Sequence, residues 1–113
     1  MFEFRKYKKG QGKKKQKHEK LIVDNVGCEF GFMGLTHSKT KGKGHNNFPL
    51  KDNPQLDKNF KRLPFDCEKG HYLRRKIEYD NKNNFGEPLS NFSLSKRDKK
   101  RIKDYIKDKK RKK

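Results

Sequence analysis

The sequence predicts a small, mostly β barrel with a C-terminal helix and two basic tails. Three observations predict it: residues 20–36 and 71–79 alternate as strands do, and an apolar stripe recurs at helical spacing near the C-terminus. The chain has 113 residues, enough for one small domain. Only 27% of it is hydrophobic, but nine Phe and four Tyr argue against disorder throughout and predict a small core with long solvated tails.

Residues 20–36 carry the strongest strand signal. "KLIVDNV" is apolar and partly β-branched, and "CEFGFMGLT" alternates. The alternation puts Phe30 and Phe32 on one face of a hairpin and Met33 and Leu35 on the other.

Turn and bend residues divide this hairpin. Asn25 and Gly27 favour a tight turn between its strands. Gly31 and Gly34 favour strong curvature or a bulge, which small barrels need.

Residues 71–79, "HYLRRKIEY", predict a third strand with Arg75 on its more apolar face. A helix is predicted near residues 95–107, where Ser95 and Asp98 match the S-x-x-D capping pattern. Its apolar stripe consists of Ile102, Tyr105 and Ile106.

The domain boundaries follow from charge and turn residues. Residues 1–17 read as a basic arm, with a short edge strand in "MFEFRKY", and residues 108–113 read as a frayed basic tail. Residues 18–107 form the predicted domain. It contains a long loop at residues 37–71, pinned to the core by apolar residues. Those residues are Phe48, Leu50, Leu63 and Phe65.

The formal net charge of +19 predicts a polyanionic partner. We expect nucleic acid, RNA first and DNA as the alternative. No segment approaches the roughly 20 apolar residues of a spanning helix, so we expect no membrane partner.

The cysteines predict a reducing compartment. Nothing resembles a signal peptide, so Cys28 and Cys67 are expected as reduced thiols in a cytoplasmic protein. Neither belongs to a CxxC pair, and the alternative of a mixed Cys/His zinc site has little support. We expect no metal and no cofactor.

A lysine–glycine loop follows the hairpin and predicts phosphate contacts. Two further basic side chains lie in the third strand. The predicted nucleic-acid-binding residues are Lys39, Lys41, Lys43, His45, Asn46, Arg74 and Lys76. "GKGHNN" is also faintly similar to HNH nucleases, but the rest of that metal-binding pattern is missing.

Three segments in order resemble the MazF/PemK family of toxin endoribonucleases, the mRNA interferases. They are "KQKHEKLIV" (residues 15–23), "GLTHSKTKG" (residues 34–42) and "FSLSKRDKKRIKDYI" (residues 92–106). The resemblance implies an SH3-like β-barrel, metal-independent cleavage of single-stranded RNA, an antitoxin partner (an acidic protein or an RNA) and a homodimer. The Arg-Pro pair before the family's first core strand is absent here.

Matched to the family, His18 takes the place of an arginine implicated in cleavage, and His37 that of a threonine. A slip by one residue gives this second role to Thr36. Cleavage of RNA without metal needs a base, an acid and cations beside the phosphorane. We therefore predict His18 and His37 as the acid–base pair and Arg75 or Arg74 as the stabilising cation. Thr36, Ser38 and Lys39 would position phosphate.

Two rival functions fit the same composition. One is a non-enzymatic RNA-binding protein of ribosomal type. The other is a small DNA-binding accessory protein of a mobile element. All three predict salt-dependent binding to nucleic acid.

Overall fold

The computed structural model describes residues 2–8, 18–40, 46–65 and 70–111. These residues form a mostly β domain, an antiparallel sheet of six strands followed by a C-terminal helix, as the sequence predicts. The elements are β1 (Phe4–Arg5), β2 (Lys20–Val26), β3 (Glu29–Thr36), β4 (Phe48–Pro49), β5 (Tyr72–Leu73), β6 (Glu78–Asn81) and α1 (Lys96–Arg111). A short 3-10 turn, Lys82–Asn84, follows β6.

Strand β3 is the centre of the sheet. One edge of β3 pairs with β2, and β5 and β6 share the other edge. The strand path is β1-β2-β3-β5-β4, with β6 beside β3. Within the described residues this path is open, because β4 and β1 end it on opposite sides.

The β2–β3 hairpin has the predicted turn and bend. Gly27 takes φ +58°, a left-handed conformation that glycine adopts without steric cost. The pairing steps from Ile22–Phe32 to Asp24–Gly31, which leaves Val23 as an extra residue in β2. This bulge increases the local twist of the sheet opposite the predicted glycine.

Gly31 also permits a close approach between strands. A Cβ atom built on Gly31 would lie 2.7 Å from Cε2 of Tyr79 and 2.8 Å from Cβ of Asp24. The Tyr79 hydroxyl donates a hydrogen bond to Asp24 across this position, at 2.8 Å. Only glycine therefore fits beneath the Tyr79 ring.

The prediction of a single strand over residues 71–79 is wrong. This segment divides into β5 and β6, with bends between them at Arg75 and Lys76. The carbonyl oxygen of Arg75 accepts hydrogen bonds from the Tyr105 hydroxyl (2.9 Å) and Lys109 Nζ (2.8 Å) of α1. Contacts with α1, which the alternation pattern does not encode, hold the chain in this bend.

Two apolar clusters lie on opposite faces of the hairpin, as its alternation predicts. The larger contains Met33 and Leu35 and receives α1 through the predicted stripe, with Ile102 fully buried. Phe48 and Leu50 lie in it, as expected, whereas the partly buried Leu63 and Phe65 are not among its members. The other buried members are Phe4, Leu21, Val23, Leu73 and Leu94. The smaller consists of Ile22, Phe32 and Phe85, with Tyr7 and Phe30 packed against it.

The domain begins earlier in the chain than predicted. The short edge strand expected in "MFEFRKY" is confirmed as β1, which pairs with β2, and the fully buried Phe4 makes this segment part of the domain rather than of a basic arm. Burial of this ring offsets the cost of ordering a short, charged segment. Residues 9–17 of the predicted arm lie outside the described residues.

Helix α1 begins as predicted and runs four residues further. The backbone N–H of Asp98 donates to Ser95 Oγ at 3.1 Å, which is the predicted cap. The helix ends at Arg111 rather than near residue 107, and Lys109 ties its last turn to the Arg75 carbonyl. Residues 112–113 lie outside the described residues.

The loop at residues 37–71 has more structure than predicted. It contains β4 and an isolated bridge between Leu56 and Arg62. The buried carboxylate of Asp98 accepts hydrogen bonds from the backbone N–H groups of Lys51 and Asp52, at 2.9 to 3.0 Å. A single helix residue thus fixes the start of the loop after β4.

In the described part of the chain, no helix is both long and apolar enough to cross a membrane.

Candidate active site

A cleft of about 590 Å³ opens where β3 ends. All three histidines that the structure describes line it, and we call it the histidine cleft. Its polar residues are His18, Glu19, Thr36, His37, Asn53, Gln55 and His71, and its apolar walls are Leu35, Leu63, Pro64 and Phe92.

Strand pairing on both edges of β3 brings these histidines together. The backbone N–H of Leu35 donates to the carbonyl of Glu19 at 2.8 Å, which continues the hairpin ladder beyond β2 and brings His18 to the level of Thr36. On the other edge of β3, Thr36 pairs with Tyr72 of β5. His37 follows β3 at the level at which His71 precedes β5. His18 and His37 both line this cleft, at the end of the hairpin where the sequence predicts that they meet.

The rings of His37 and His71 are in contact. Their centroids lie 4.7 Å apart, with planes inclined by 54°. His37 Nδ1 lies 3.4 Å from the carbonyl oxygen of Gly70, a distance at which a protonated Nδ1 donates a long hydrogen bond. In that tautomer Nε2 is the acceptor nitrogen of the ring.

His71 is the more enclosed of the two rings. Burial, and then the neighbouring His37, lower the pKa of His71 below its ordinary value of 6.5, while Glu19 opposes the shift. Its Nδ1 is buried and makes no hydrogen bond within the described residues. The lowered pKa favours the uncharged ring, the state a general base needs.

Thr36 and Ser38 form the turn that leaves β3. The Thr36 side chain is buried, and its Oγ1 accepts a hydrogen bond from the backbone N–H of Ser38 at 3.1 Å. The carbonyl of Ser38 accepts from Asn47 Nδ2 at 2.9 Å. Ser38 and Lys39 are themselves exposed at the mouth of this turn. Thr36 holds the shape of the turn, and the exposed side chains of Ser38 and Lys39 can reach phosphate.

The two arginines predicted as alternatives lie in different places. Arg74 lines a second groove of about 390 Å³ that shares His18 and Leu35 with the histidine cleft, and we call it the Arg74 groove. Its other lining residues include Lys20, Gly34, Glu78 and Asp80. The stem of Arg74 packs against Gly34, where a Cβ would lie 3.4 Å from Cδ.

Arg75 is not brought into the histidine cleft. Its Nε donates to the carbonyl of Asn46 at 2.7 Å, and its guanidinium lies over the rings of Phe48 (5.4 Å) and Tyr105 (5.5 Å). These contacts join the β4 region to α1. The neighbouring Lys76 is exposed.

Of the other residues predicted to bind nucleic acid, some are exposed and some lie outside the described residues. Asn46 is exposed, and its backbone carbonyl accepts the hydrogen bond from Arg75. Lys41, Lys43 and His45 lie outside the described residues, and so does Cys67. Cys28 is exposed and carries a free thiol.

Sequence reasoning missed His71 and Glu19 as members of the cleft. The signal was present but non-local: His71 immediately precedes a strand, as His37 immediately follows one. Pairing those two strands antiparallel would have predicted the contact.

Among residues 2–8, 18–40, 46–65 and 70–111, no three His, Cys, Asp or Glu side chains are grouped as a metal site requires. No protein-family model, curated protein or solved structure matches this chain.

Proposed function

We propose that the protein binds RNA and cleaves it without a metal ion in the histidine cleft, in the manner of a MazF/PemK-like endoribonuclease. The observation that carries the proposal is the contact between His37 and His71, at 4.7 Å, in a cleft that His18 also lines. Imidazoles are the side chains best suited to both proton transfers near neutral pH.

The reaction transfers one proton at each end. Nε2 of neutral His71 accepts the proton of a ribose 2′-OH, and the 2′-oxygen forms a bond to phosphorus. The bond to the 5′-oxygen breaks, and that oxygen takes a proton from protonated His37 or His18. The products are a 2′,3′-cyclic phosphate and a 5′-hydroxyl, and both histidines then exchange protons with water.

Cations beside the cleft support the same chemistry. Charge accumulates on the phosphorane oxygens, and fixed cations stabilise it more than they stabilise the substrate. Arg74 lines the groove that adjoins the cleft at His18. The net charge of +19 attracts the strand as a whole.

The proposal includes the SH3-like barrel that the resemblance implies. Backbone hydrogen bonds between the chain after β1 and the chain after β6 support it. The N–H of Lys8 donates to the Asn84 carbonyl (2.9 Å), and the N–H of Gly86 donates to the Lys6 carbonyl (2.7 Å). They bring the chain after β6 beside β1, the edge at which a barrel would close.

The test is incubation with a defined single-stranded RNA in EDTA, with mapping of the fragment ends. We expect cyclic-phosphate or 3′-phosphate ends. His37→Ala and His71→Ala should each lower the cleavage rate by about a hundredfold or more. Cys28→Ala, at the opposite end of β3, is the matched control and should cleave as the unchanged protein does.

Binding is measured separately with 2′-O-methyl RNA, which has no free 2′-OH to attack. Tight binding of this RNA without cleavage of the natural one would favour the non-enzymatic RNA-binding protein. A preference for duplex DNA would favour the accessory protein of a mobile element. Toxicity on expression, relieved by a co-expressed acidic protein or an RNA, would support the antitoxin and cytoplasmic setting that the resemblance implies.

A further inference from the structure

A short hairpin at residues 55–63 forms one wall of the histidine cleft. The backbone N–H of Leu63 donates to the Gln55 carbonyl at 3.0 Å, and Leu56 and Arg62 form a bridge above it. Gln55 and Leu63 both line the cleft. The Arg62 guanidinium donates to the Asn53 carbonyl at 3.0 Å, which anchors the stem.

The tip of this hairpin is a tightly bonded turn. The Asp57 carboxylate accepts hydrogen bonds from the backbone N–H groups of Asn59 (2.8 Å) and Lys61 (2.9 Å). The Asp57 backbone bonds to Lys61 (2.8 Å) and Phe60 (3.0 Å) as well. Four hydrogen bonds therefore hold five residues in one shape.

Phe60 stands at this tip in a conformation that a large side chain rarely adopts. Its φ is +65°, and 76% of its surface is exposed. A bulky residue with positive φ is strained, and such outliers are concentrated at functional sites. The fold gains little burial from the ring, so packing does not account for a phenylalanine here.

The surroundings of Phe60 are cationic rather than apolar. Lys58 and Lys61 flank it, and both are exposed. A flat apolar ring between two cations matches one unpaired base between two phosphates, because every base presents a face for stacking. An apolar protein partner would meet a single ring surrounded by charge, which is a poor match.

We propose that Phe60 stacks on an unpaired base of the RNA strand that enters the histidine cleft, while Lys58 and Lys61 contact its flanking phosphates. The assignment deepens the proposed function and rests on RNA being the ligand. It defines the substrate class as single-stranded, because a paired base does not offer its face to the ring.

The test uses two substitutions at the tip. The chain contains no tryptophan, so Phe60→Trp creates a single fluorescent reporter, the tip reporter. Phe60→Gly removes the ring and suits the positive φ, so the fold is retained. Val26→Trp, at an exposed position beside the β2–β3 turn, is the matched control reporter. The probe is a 2′-O-methyl RNA 12-mer, single-stranded or annealed to its complement.

We expect the single strand to quench the tip reporter strongly and the control reporter weakly, and the duplex to quench the tip reporter weakly. Phe60→Gly should weaken binding of the single strand about tenfold without lowering the melting temperature. Unchanged affinity in Phe60→Gly, or equal quenching of the two reporters, would overturn the assignment and leave RNA binding intact. If the wild-type protein did not bind the single strand, both the assignment and the proposed RNA ligand would be overturned. If Phe60 stacked on the single strand but natural RNA was not cleaved, only the proposed catalysis would be overturned.

Discussion

His37 and His71 are in ring contact at 4.7 Å although 33 residues of chain separate them, and the register Leu35–Leu73 and Thr36–Tyr72 puts them there. The contact opposes a second positive charge, because two imidazolium ions at this distance repel each other. Burial of His71 acts in the same direction. Burial and the neighbouring His37 therefore both favour the uncharged form of His71, which is the form that a general base starts from.

This arrangement predicts a loss of stability in mild acid. The folded-state pKa of His71 lies below the unfolded value of 6.5. As pH falls through 6.5, His71 takes up a proton more readily in the unfolded chain than in the folded protein. The free energy of unfolding therefore falls. His71→Asn removes the titrating group. Its unfolding free energy, measured by urea titration, should change less between pH 7.5 and pH 5.5 than that of the unchanged protein.

The acid response of His71→Asn is compared with that of the wild-type protein over the same pH range. An equal acid response in His71→Asn and the unchanged protein would show that other groups cause it.

The sequence predicted what short-range patterns control. Alternation and glycine placement located the β2–β3 hairpin, and the capping pattern located the start of α1 at Ser95. Because the hairpin brings its own ends together, the presence of both His18 and His37 in one cleft follows from the same short-range pattern. These features depend on residues within about one hairpin or one helix.

Long-range pairing was beyond these patterns. His71 enters the cleft only because β5 pairs with β3 across a loop without periodicity. The break in the predicted strand at Arg75 depends on side chains of α1, some 30 residues later in the chain. Tertiary contacts decide such features, and alternation within one segment does not report them.

Gly31 should resist any substitution that adds a side chain. In Gly31→Ala the new Cβ would lie 2.7 Å from the Tyr79 ring and 2.8 Å from Cβ of Asp24, so the β3–β6 pairing must shift. We expect a loss of about 1–3 kcal/mol in the free energy of unfolding. The control is Gly70→Ala, whose Cβ meets the Tyr72 ring at an ordinary 3.6 Å. Combining Gly31→Ala with Tyr79→Ala should recover part of the loss. No recovery would mean that the ring is not the obstacle.

Asp98 should be the most sensitive acidic residue of α1. Its carboxylate is fully buried and accepts hydrogen bonds from the Lys51 and Asp52 amides and from Arg101 at 2.8 Å. Asp98→Ala leaves these donors without partners, at a cost of about 3 kcal/mol in unfolding free energy.

Asp104→Ala, on an exposed position of the same helix, should change the unfolding free energy by no more than about 0.5 kcal/mol. Equal effects of the two substitutions on thermal unfolding would contradict the role of Asp98 as the anchor of the loop after β4.

Arg74 and Arg75 are adjacent in sequence but should differ in what they control. Arg74 lines the groove that adjoins His18, where a cation can stabilise the phosphorane. Arg74→Ala should lower the cleavage rate at saturating RNA by about tenfold or more, with unfolding nearly unchanged. Arg75 instead holds the Asn46 carbonyl and faces the ring of Tyr105.

Arg75→Ala should therefore cost about 1 kcal/mol in unfolding free energy while cleavage continues at a similar rate. Lys76→Ala, at the next exposed position, is the control for the loss of a positive charge alone. Single-turnover cleavage and urea unfolding of the three variants separate the two roles. A larger loss of cleavage in Arg75→Ala than in Arg74→Ala would move the phosphate-binding side of the site from the Arg74 groove to the face beside α1.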